Sequence, residues 1–324
     1  MQKTLSVVNL RAIRENALKI KKELGERKFF AVVKADAYGH GAAEVAGCIE
    51  DIADCFCVAI TDEGAALRVA GITKPVLVFT PPLGADDIKR AEFYNLSVTV
   101  NSVETAKFCA GLNCHVKVNT GMNRLGCNLS ELPKVLERLD PQNIEGVYSH
   151  LYMPENLERS KKQLAVFNKA EALVRAKVPD VCAHISASGG FLRGGGFLKD
   201  GVRCGILLYG YAPAGFSAYG FKGALKVYAR RTQKTEFIGG GVGYAAATEN
   251  YKTLCSYRLG YADGFRRTVA LGEKNLCMDA FIKNGGGDFE CVFDNADAYA
   301  KRCGTISYEA LTSVTRRSEI VYER

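Results

Sequence analysis

From residue 29 onward, short runs of β-branched and other apolar residues alternate with longer amphipathic stretches. The runs fall at residues 29–33, 55–60, 75–79, 96–100, 114–118, 144–150, 181–186 and 202–207. Helix-like stretches lie between them, for instance at 64–70, 103–112, 131–139 and 157–176. Short apolar runs alternating with helical segments predict βαβ units and a parallel sheet. Eight such strands match the count of a (β/α)8 barrel. A doubly wound open sheet is the competitor, and strand counting alone leaves it open.

After Tyr211 the pattern changes: Ala212-Pro213-Ala214-Gly215 reads as a turn or linker, and the helical periodicity stops. Strand-like runs follow at 225–229, 252–259, 268–271 and 289–293, punctuated by triple glycines at 239–241 and 285–287. A smaller, C-terminal all-β domain is predicted. The expected division is a barrel over residues 1–211 and a β-domain over 212–324, with residues 1–9 free to add a strand to either.

Composition narrows the picture. The chain has 324 residues, 48% of them hydrophobic and 24% charged, which suits a buried core and excludes general disorder. Its +8 charge comes from 43 Lys+Arg against 35 Asp+Glu, with no basic run and no basic-aromatic stripe. A nucleic-acid groove is therefore not expected, and a mildly basic surface suits small anionic molecules. Twelve cysteines are scattered from Cys48 to Cys303, unlike the dense framework of a small secreted domain. The opening residues carry too short an apolar run for a signal peptide, and no stretch is long enough for a membrane span. With four histidines and no paired Cys-x-x-Cys, no metal site is expected. A reduced, cytoplasmic protein is the expectation.

In a barrel, functional side chains gather at the C-terminal strand ends. Here those ends carry Lys34-Ala35-Asp36-Ala37-Tyr38, Lys117-Val118-Asn119 with Arg124 beyond, His150, His184-Ile185-Ser186-Ala187-Ser188 and Arg203-Cys204-Gly205-Ile206. A lysine leaving an apolar strand is either a surface lysine or, if desolvated, an amine freed to form a Schiff base. Ser188 with two glycines behind it, and Gly205-Ile206, offer a hydroxyl and bare N–H groups to phosphate; alone, Ser-Gly-Gly is also ordinary turn chemistry. A buried lysine combined with a barrel phosphate site describes a pocket for pyridoxal phosphate (PLP).

The segment Val33-Lys34-Ala35-Asp36-Ala37-Tyr38-Gly39-His40-Gly41 resembles the cofactor-lysine signature of the alanine racemase family. Further matches follow in the family's order at residues 117–126, 148–150, 184–188, 202–206, 242–244, 260–264, 277–279 and 305–309. The resemblance implies a PLP-binding barrel followed by a β-domain, and a racemase interconverting L- and D-alanine to supply D-alanine for cell-wall synthesis. It implies that Lys34 holds PLP and acts as the base on one face of the substrate Cα, with Tyr244 on the other. Arg203 would face the pyridine nitrogen, His184 would orient Arg203, and His150 would lie against the ring. Tyr38, Ser188, Gly205, Ile206 and Tyr308 would contact the phosphate. Tyr308 and Tyr261 would line the substrate entry, and Arg124 and Met278 would meet the substrate carboxylate. Lys117 matches a lysine that some members carry as a carbamate; a plain ammonium paired with a neighbouring carboxylate is the alternative. The family's Tyr244, Tyr261 and Met278 positions act across a subunit boundary, which implies a homodimer with composite sites.

Several positions depart from the family pattern. Ala187 stands where asparagine is usual, Gly189-Gly190 where alanines are usual, and the segment from Tyr244 to Tyr261 is short. Gly272-Glu273-Lys274-Asn275-Leu276 replaces the usual Gly-Arg before Cys277, and the stretch after Asp279 is abbreviated. These bear on β-domain loops and substrate selection more than on reaction type. Three rivals share part of the pattern. A racemase for another small amino acid such as serine would keep every catalytic residue. A PLP decarboxylase of the same barrel class would not need Tyr244. A non-catalytic PLP-binding protein would resemble the barrel alone.

Overall fold

A computed structural model describes residues 4–247, 251–267 and 276–324. In chain order its strands are β1 (Leu5–Asn9), β2 (Lys28–Val32), β3 (Cys55–Val58), β4 (Val76–Val78), β5 (Val98–Val100), β6 (Cys114–Lys117), β7 (Ile144–Tyr148), β8 (Cys182–His184) and β9 (Gly201–Cys204). Then come β10 (Leu225–Glu236), β11 (Gly241–Val242), β12 (Ala245–Ala246), β13 (Thr253–Arg258), β14 (Phe281–Asn284), β15 (Phe289–Phe293) and β16 (Glu319–Glu323).

Strands β2 to β9 form two parallel runs, β4-β3-β2-β9 and β5-β6-β7-β8. Two bridges close them into a ring. Ser97 lies against Leu77 between β4 and β5, and Ala187 lies against Arg203 between β8 and β9. Backbone hydrogen bonds seal both seams, Val78 N–H to Ser97 O at 2.9 Å and Arg203 N–H to Ser186 O at 3.0 Å. An eight-stranded parallel barrel results, which removes the open-sheet alternative. Its strands are almost wholly buried, because helices cover the outer face and side chains fill the interior. That double burial explains why they read as short unbroken apolar runs.

The covering helices start where local chemistry satisfies their first N–H groups. Ser102 accepts from the Thr105 N–H in a reciprocal capping box before helix Val103–Phe108. Asn156 accepts from the Arg159 N–H before helix Leu157–Arg175. No helix among the described residues is long and apolar enough to cross a membrane.

The chain divides into two compact units. The barrel unit comprises Arg14–Ala37 and Ala42–Phe221. The second unit comprises the described parts of Met1–Ile13, Tyr38–Gly41 and Lys222–Arg324. Residues 212–221, expected to open the β-domain, group with the barrel. Lys19 donates to the Tyr219 carbonyl at 3.0 Å and places its ammonium 4.6 Å from the Phe221 ring centre. Residues 38–41, expected within the barrel segment, group with the second unit. A Cβ on Gly39 would lie 2.8 Å from the Leu311 carbonyl oxygen, and one on Gly41 would overlap the Tyr322 hydroxyl. Only bare backbone fits there.

In the second unit the sheet order is β14-β13-β10-β1-β16, with β15 also on β10. The first half of the twelve-residue β10, from Leu225 to Arg230, alternates buried and more exposed positions, as a strand with one solvated face must, and its second half is largely exposed. The first strand, β1, lies between β10 (antiparallel) and β16 (parallel). Two short helices, Ala296–Cys303 and Ser307–Ser313, accompany the strands where no helical periodicity was expected. The strand expected at 268–271 lies outside the described residues, as does most of the 272–276 departure.

Candidate active site

Lys34 follows β2 and opens a turn of unusual hand. Ala35, Asp36, Ala37 and Tyr38 all have φ between 50° and 54°, a left-handed turn built from four residues with side chains. Such a conformation costs about 1–2 kcal/mol per residue, so the surroundings must enforce it. Glu63 does part of this: its carboxylate accepts the Ala35 N–H at 2.8 Å and the Ala59 N–H at 2.6 Å. Asp36 accepts the Ala42 N–H at 2.7 Å and closes the far side of the turn. The Lys34 amine is pulled below its ordinary pKa, chiefly by burial and further by Arg124, against an opposing pull from Glu63.

Lys117, at the end of β6, is only 5% exposed, and its ammonium lies 5.1 Å from the centre of the Tyr148 ring. Burial, then Arg203, Arg124 and Lys34, pushes its pKa down to about 7. Among the described residues no carboxylate pairs with it. Beyond it, the loop carrying Arg124 is folded by Asn119. The Asn119 side-chain oxygen accepts the N–H groups of Gly121 and Asn123, each at 3.1 Å. Cys127 then pairs back onto Val118, leaving Arg124 exposed.

Arg203, on β9, is 2% exposed. Its guanidinium donates to His184 Nδ1 at 2.6 Å, His184 O at 2.9 Å, Ser149 O at 2.6 Å and Ile185 O at 3.1 Å. His150 Nδ1 lies 3.5 Å away. No carboxylate contacts Arg203 among the described residues. Burial, with Arg203 next, drives the pKa of both His150 and His184 well below the ordinary range, so both rings are neutral.

Ser188 begins the short helix Ser188–Arg193. Its hydroxyl oxygen accepts the Gly205 N–H at 3.2 Å and the Leu207 N–H at 3.5 Å, which brings the hydroxyl to the Gly205-Ile206 backbone. The two glycines behind it have packing reasons. A Cβ on Gly189 would lie 2.4 Å from Pro154, and one on Gly190 would lie 2.2 Å from the Ser186 hydroxyl.

The second unit holds the remaining candidates. Tyr38 and Tyr308 approach with ring centres 5.9 Å apart. Tyr244 stands at the tip of the β11–β12 hairpin, after Gly243 at φ 60°, and is 78% exposed. Tyr261 and Met278 are also exposed, and their segments are stitched together by Tyr261 N–H to Cys277 O and Ala262 N–H to Met278 O. Arg317 pins the Met278 turn by bonding Asp279 at 2.8 Å.

The barrel thus gathers Lys34, Lys117, Arg124, His150, His184 and Arg203 as one electrostatically coupled group, with Ser188, Gly205 and Ile206 on the neighbouring strand ends. Two residues tied to this group were not foreseen. Glu63 fastens the Lys34 turn. His115, two residues before Lys117 and so on the same face of β6, bonds His184. The period-two spacing from Lys117 puts it on that face but does not distinguish a packed histidine from a bonded one.

A closed parallel barrel with Lys117 and Arg203 buried at its C-terminal strand ends, neither paired to a carboxylate among the described residues, followed by a β-rich unit, defines the class of protein. The family model described as "Alanine racemase, N-terminal domain" matches residues 8–213, and the chain belongs to that family. It is 33% identical to the alanine racemase of Carboxydothermus hydrogenoformans over 99% of this chain and 100% of that one. Its structure is similar to alanine racemase of Bacillus anthracis with bound L-Ala-P (TM-score 0.86, 27% identity, 100% of this chain, 96% of that one). It is also similar to alanine racemase of Bartonella henselae with covalently bound pyridoxal phosphate (TM-score 0.82, 26% identity, 100% of both chains).

Proposed function

We propose that this chain is a PLP-dependent racemase that interconverts L- and D-alanine, working as a cytoplasmic homodimer and supplying D-alanine for cell-wall synthesis. The observation that carries the reading is the Arg203 site: a buried guanidinium that faces neutral His184 and, among the described residues, no carboxylate. The donor set fits PLP, an anion with an aldehyde, a phenolic oxygen, a ring nitrogen and a phosphate. Lys34 would hold it through its amine, and Arg203 would meet the ring nitrogen with His150 against the ring. Ser188, Gly205, Ile206, Tyr38 and Tyr308 would take the phosphate. When bound, PLP supplies a conjugated electron sink for the pair left behind as the Cα proton departs.

The protein's own residues then decide which reaction follows. A desolvated Lys34 amine, with its pKa lowered, has a larger neutral fraction near neutral pH and is suited to take or return the α-proton on one face. Tyr244 serves the opposite face, so a proton removed on one side is returned from the other. Arg203 keeps its proton, because a guanidinium is not an acid near pH 7, and would offer a PLP ring nitrogen a hydrogen bond without protonating it. An arginine in that place would favour simple proton return at Cα over transamination. Arg124 and Met278 receive the substrate carboxylate, and Tyr261 with Tyr308 lines the way in. Lys117, with its pKa near 7, is neutral often enough to take up carbon dioxide as a carbamate, which would position Arg124. The exposure of Tyr244, Tyr261 and Met278 supports completion of each barrel site by a partner subunit. Twelve free cysteines suit a reducing compartment.

The test is proton NMR of the PLP-loaded protein in D2O with L-alanine, and separately with L-serine. Loss of the α-proton signal with appearance of D-alanine is expected. Faster exchange with serine would change the substrate, and no exchange with either would overturn the reading.

A further inference from the structure

Behind Arg203 and its partner His184, a line of polar groups that the proposed reaction does not use runs from the buried His115 to Glu145, whose side chain is 38% exposed. His184 Nε2 lies 2.9 Å from His115 Nδ1. His115 Nε2 lies 3.7 Å from the Glu145 carboxylate, which also accepts the Ser97 hydroxyl. Glu145 is the second residue of β7, His115 the second of β6, and Ser97 immediately precedes β5. The line therefore runs from the C-terminal strand ends, at Arg203, to the N-terminal ends.

Its direction follows from donor counting. A guanidinium only donates, so His184 Nδ1 must accept, and the single proton of a neutral His184 sits on Nε2. His184 Nε2–H then donates to His115 Nδ1, which puts the proton of a neutral His115 on Nε2, facing the carboxylate. Burial keeps the His115 ring neutral, its pKa pushed down to about 3.

Packing fixes the two rings in place. Phe30 stacks on one face of His184 with centres 4.6 Å apart, and Tyr148 on the other at 5.0 Å. The His115 ring fills the volume a side chain at Gly146 would take, since a Cβ there would lie 2.0 Å from Nδ1. A ring that cannot turn over can change its bonding only by changing tautomer.

We infer that Glu145 and His115 are positioning residues that fix His184 as a hydrogen-bond acceptor toward Arg203 from the far end of the barrel. The carboxylate attracts the N–H of His115, His115 is thereby left to accept from His184, and His184 is left to accept from Arg203. With the carboxylate gone, only the donation from Arg203 itself opposes the reversed tautomers, and the single state gives way to a mixture. His184 would then turn an N–H toward the guanidinium, two donors would meet, and the arginine would shift from its place. The catalytic consequence rests on the racemase reading, whereas the tautomers do not.

The experiment is long-range proton–nitrogen correlation NMR on the full-length protein labelled with 15N-histidine, recorded with and without PLP. It distinguishes protonated from bare ring nitrogens directly. Replacing each of the four histidines in turn assigns the signals. The expected result is a single tautomer, Nε2–H, at both His115 and His184. In Glu145→Gln that single state is lost and Nδ1–H signal appears at His115, while Ser97→Ala, which keeps the charge, retains the parent pattern. In the loaded protein Glu145→Gln should lower kcat and leave KM unmoved. A proton on His184 Nδ1 in the parent, or unchanged tautomers in a folded Glu145→Gln, would overturn the inference. Either failure leaves the exchange test with alanine untouched, and a failed exchange test leaves the tautomers as measured.

Discussion

Lys34, Lys117 and Arg203 share one enclosed region in which no carboxylate reaches Lys117 or Arg203 among the described residues, so each carries a charge at the others' expense. Lys117 shows this most plainly. Its pKa in the folded chain is about 7, against an ordinary 10.5. Below pH 7 both folded and unfolded chains hold that proton, and the folded state bears the full penalty, on the order of 5 kcal/mol. Between pH 7 and 10.5 only the unfolded chain holds it, so stability of the cofactor-free protein rises with pH across that window. Lys117→Met should therefore be more stable than its parent, by most below pH 7 and by progressively less toward pH 10. Urea titrations at a series of pH values measure this, and a difference that is flat with pH would contradict it. The two proposed bases separate by a different readout. Lys34→Ala should lose the visible absorbance of bound PLP altogether. Tyr244→Phe should keep that absorbance and lose most racemase activity, at least about a hundredfold; normal racemisation by that variant would remove Tyr244 from its role.

At the scale of the element, the turn after Lys34 is the place where local preference and the fold disagree. Ala35 is exposed and held at φ 51°, so its strain is not confounded by packing. Ala35→Gly should raise stability by about 1 kcal/mol, and Ala35→Val should lower it by about 2 kcal/mol, because a β-branched residue fits that region worst. Equilibrium denaturation decides between this and a turn whose strain is already relieved by Glu63. No residue of Lys34-Ala35-Asp36-Ala37-Tyr38 announces a left-handed turn, which is why it was not legible in the chain. The barrel strands were legible for the opposite reason. Burial on both faces makes them unbroken apolar runs, and the eight runs correspond to β2–β9 with ends differing by a few residues. Helices Ala296–Cys303 and Ser307–Ser313 were not, being only eight and seven residues long and held by buried anchors such as Tyr299 and Leu311. Polar strand ends drew attention to Lys34, Lys117, His184 and Arg203. His115 escaped, because a histidine within an apolar run looks the same whether it is packing or part of a polar line.

At the scale of the molecule, the question is which chain supplies Tyr244 to which Lys34. The two residues belong to different compact units of one chain, and Tyr244, at 78% exposure, stands clear of its own unit's core. If each site combines Lys34 of one protomer with Tyr244 of its partner, two inactive variants can repair one another. Lys34→Ala lacks the lysine but carries an intact Tyr244; Tyr244→Phe has the reverse defect. In a mixed dimer one site receives both defects and the other receives neither. Random pairing makes half the dimers mixed, so co-expression of the two variants should restore about one quarter of the parent activity per protomer. A doubly substituted chain co-expressed with the parent gives the control, because its mixed dimers contain no intact site. Should the two single variants together remain as inactive as each alone, while sedimentation still shows dimers, each site must draw both residues from one chain. The same samples at increasing dilution separate that outcome from a failure to associate, since a composite site loses activity as dimers dissociate and a site within one chain does not.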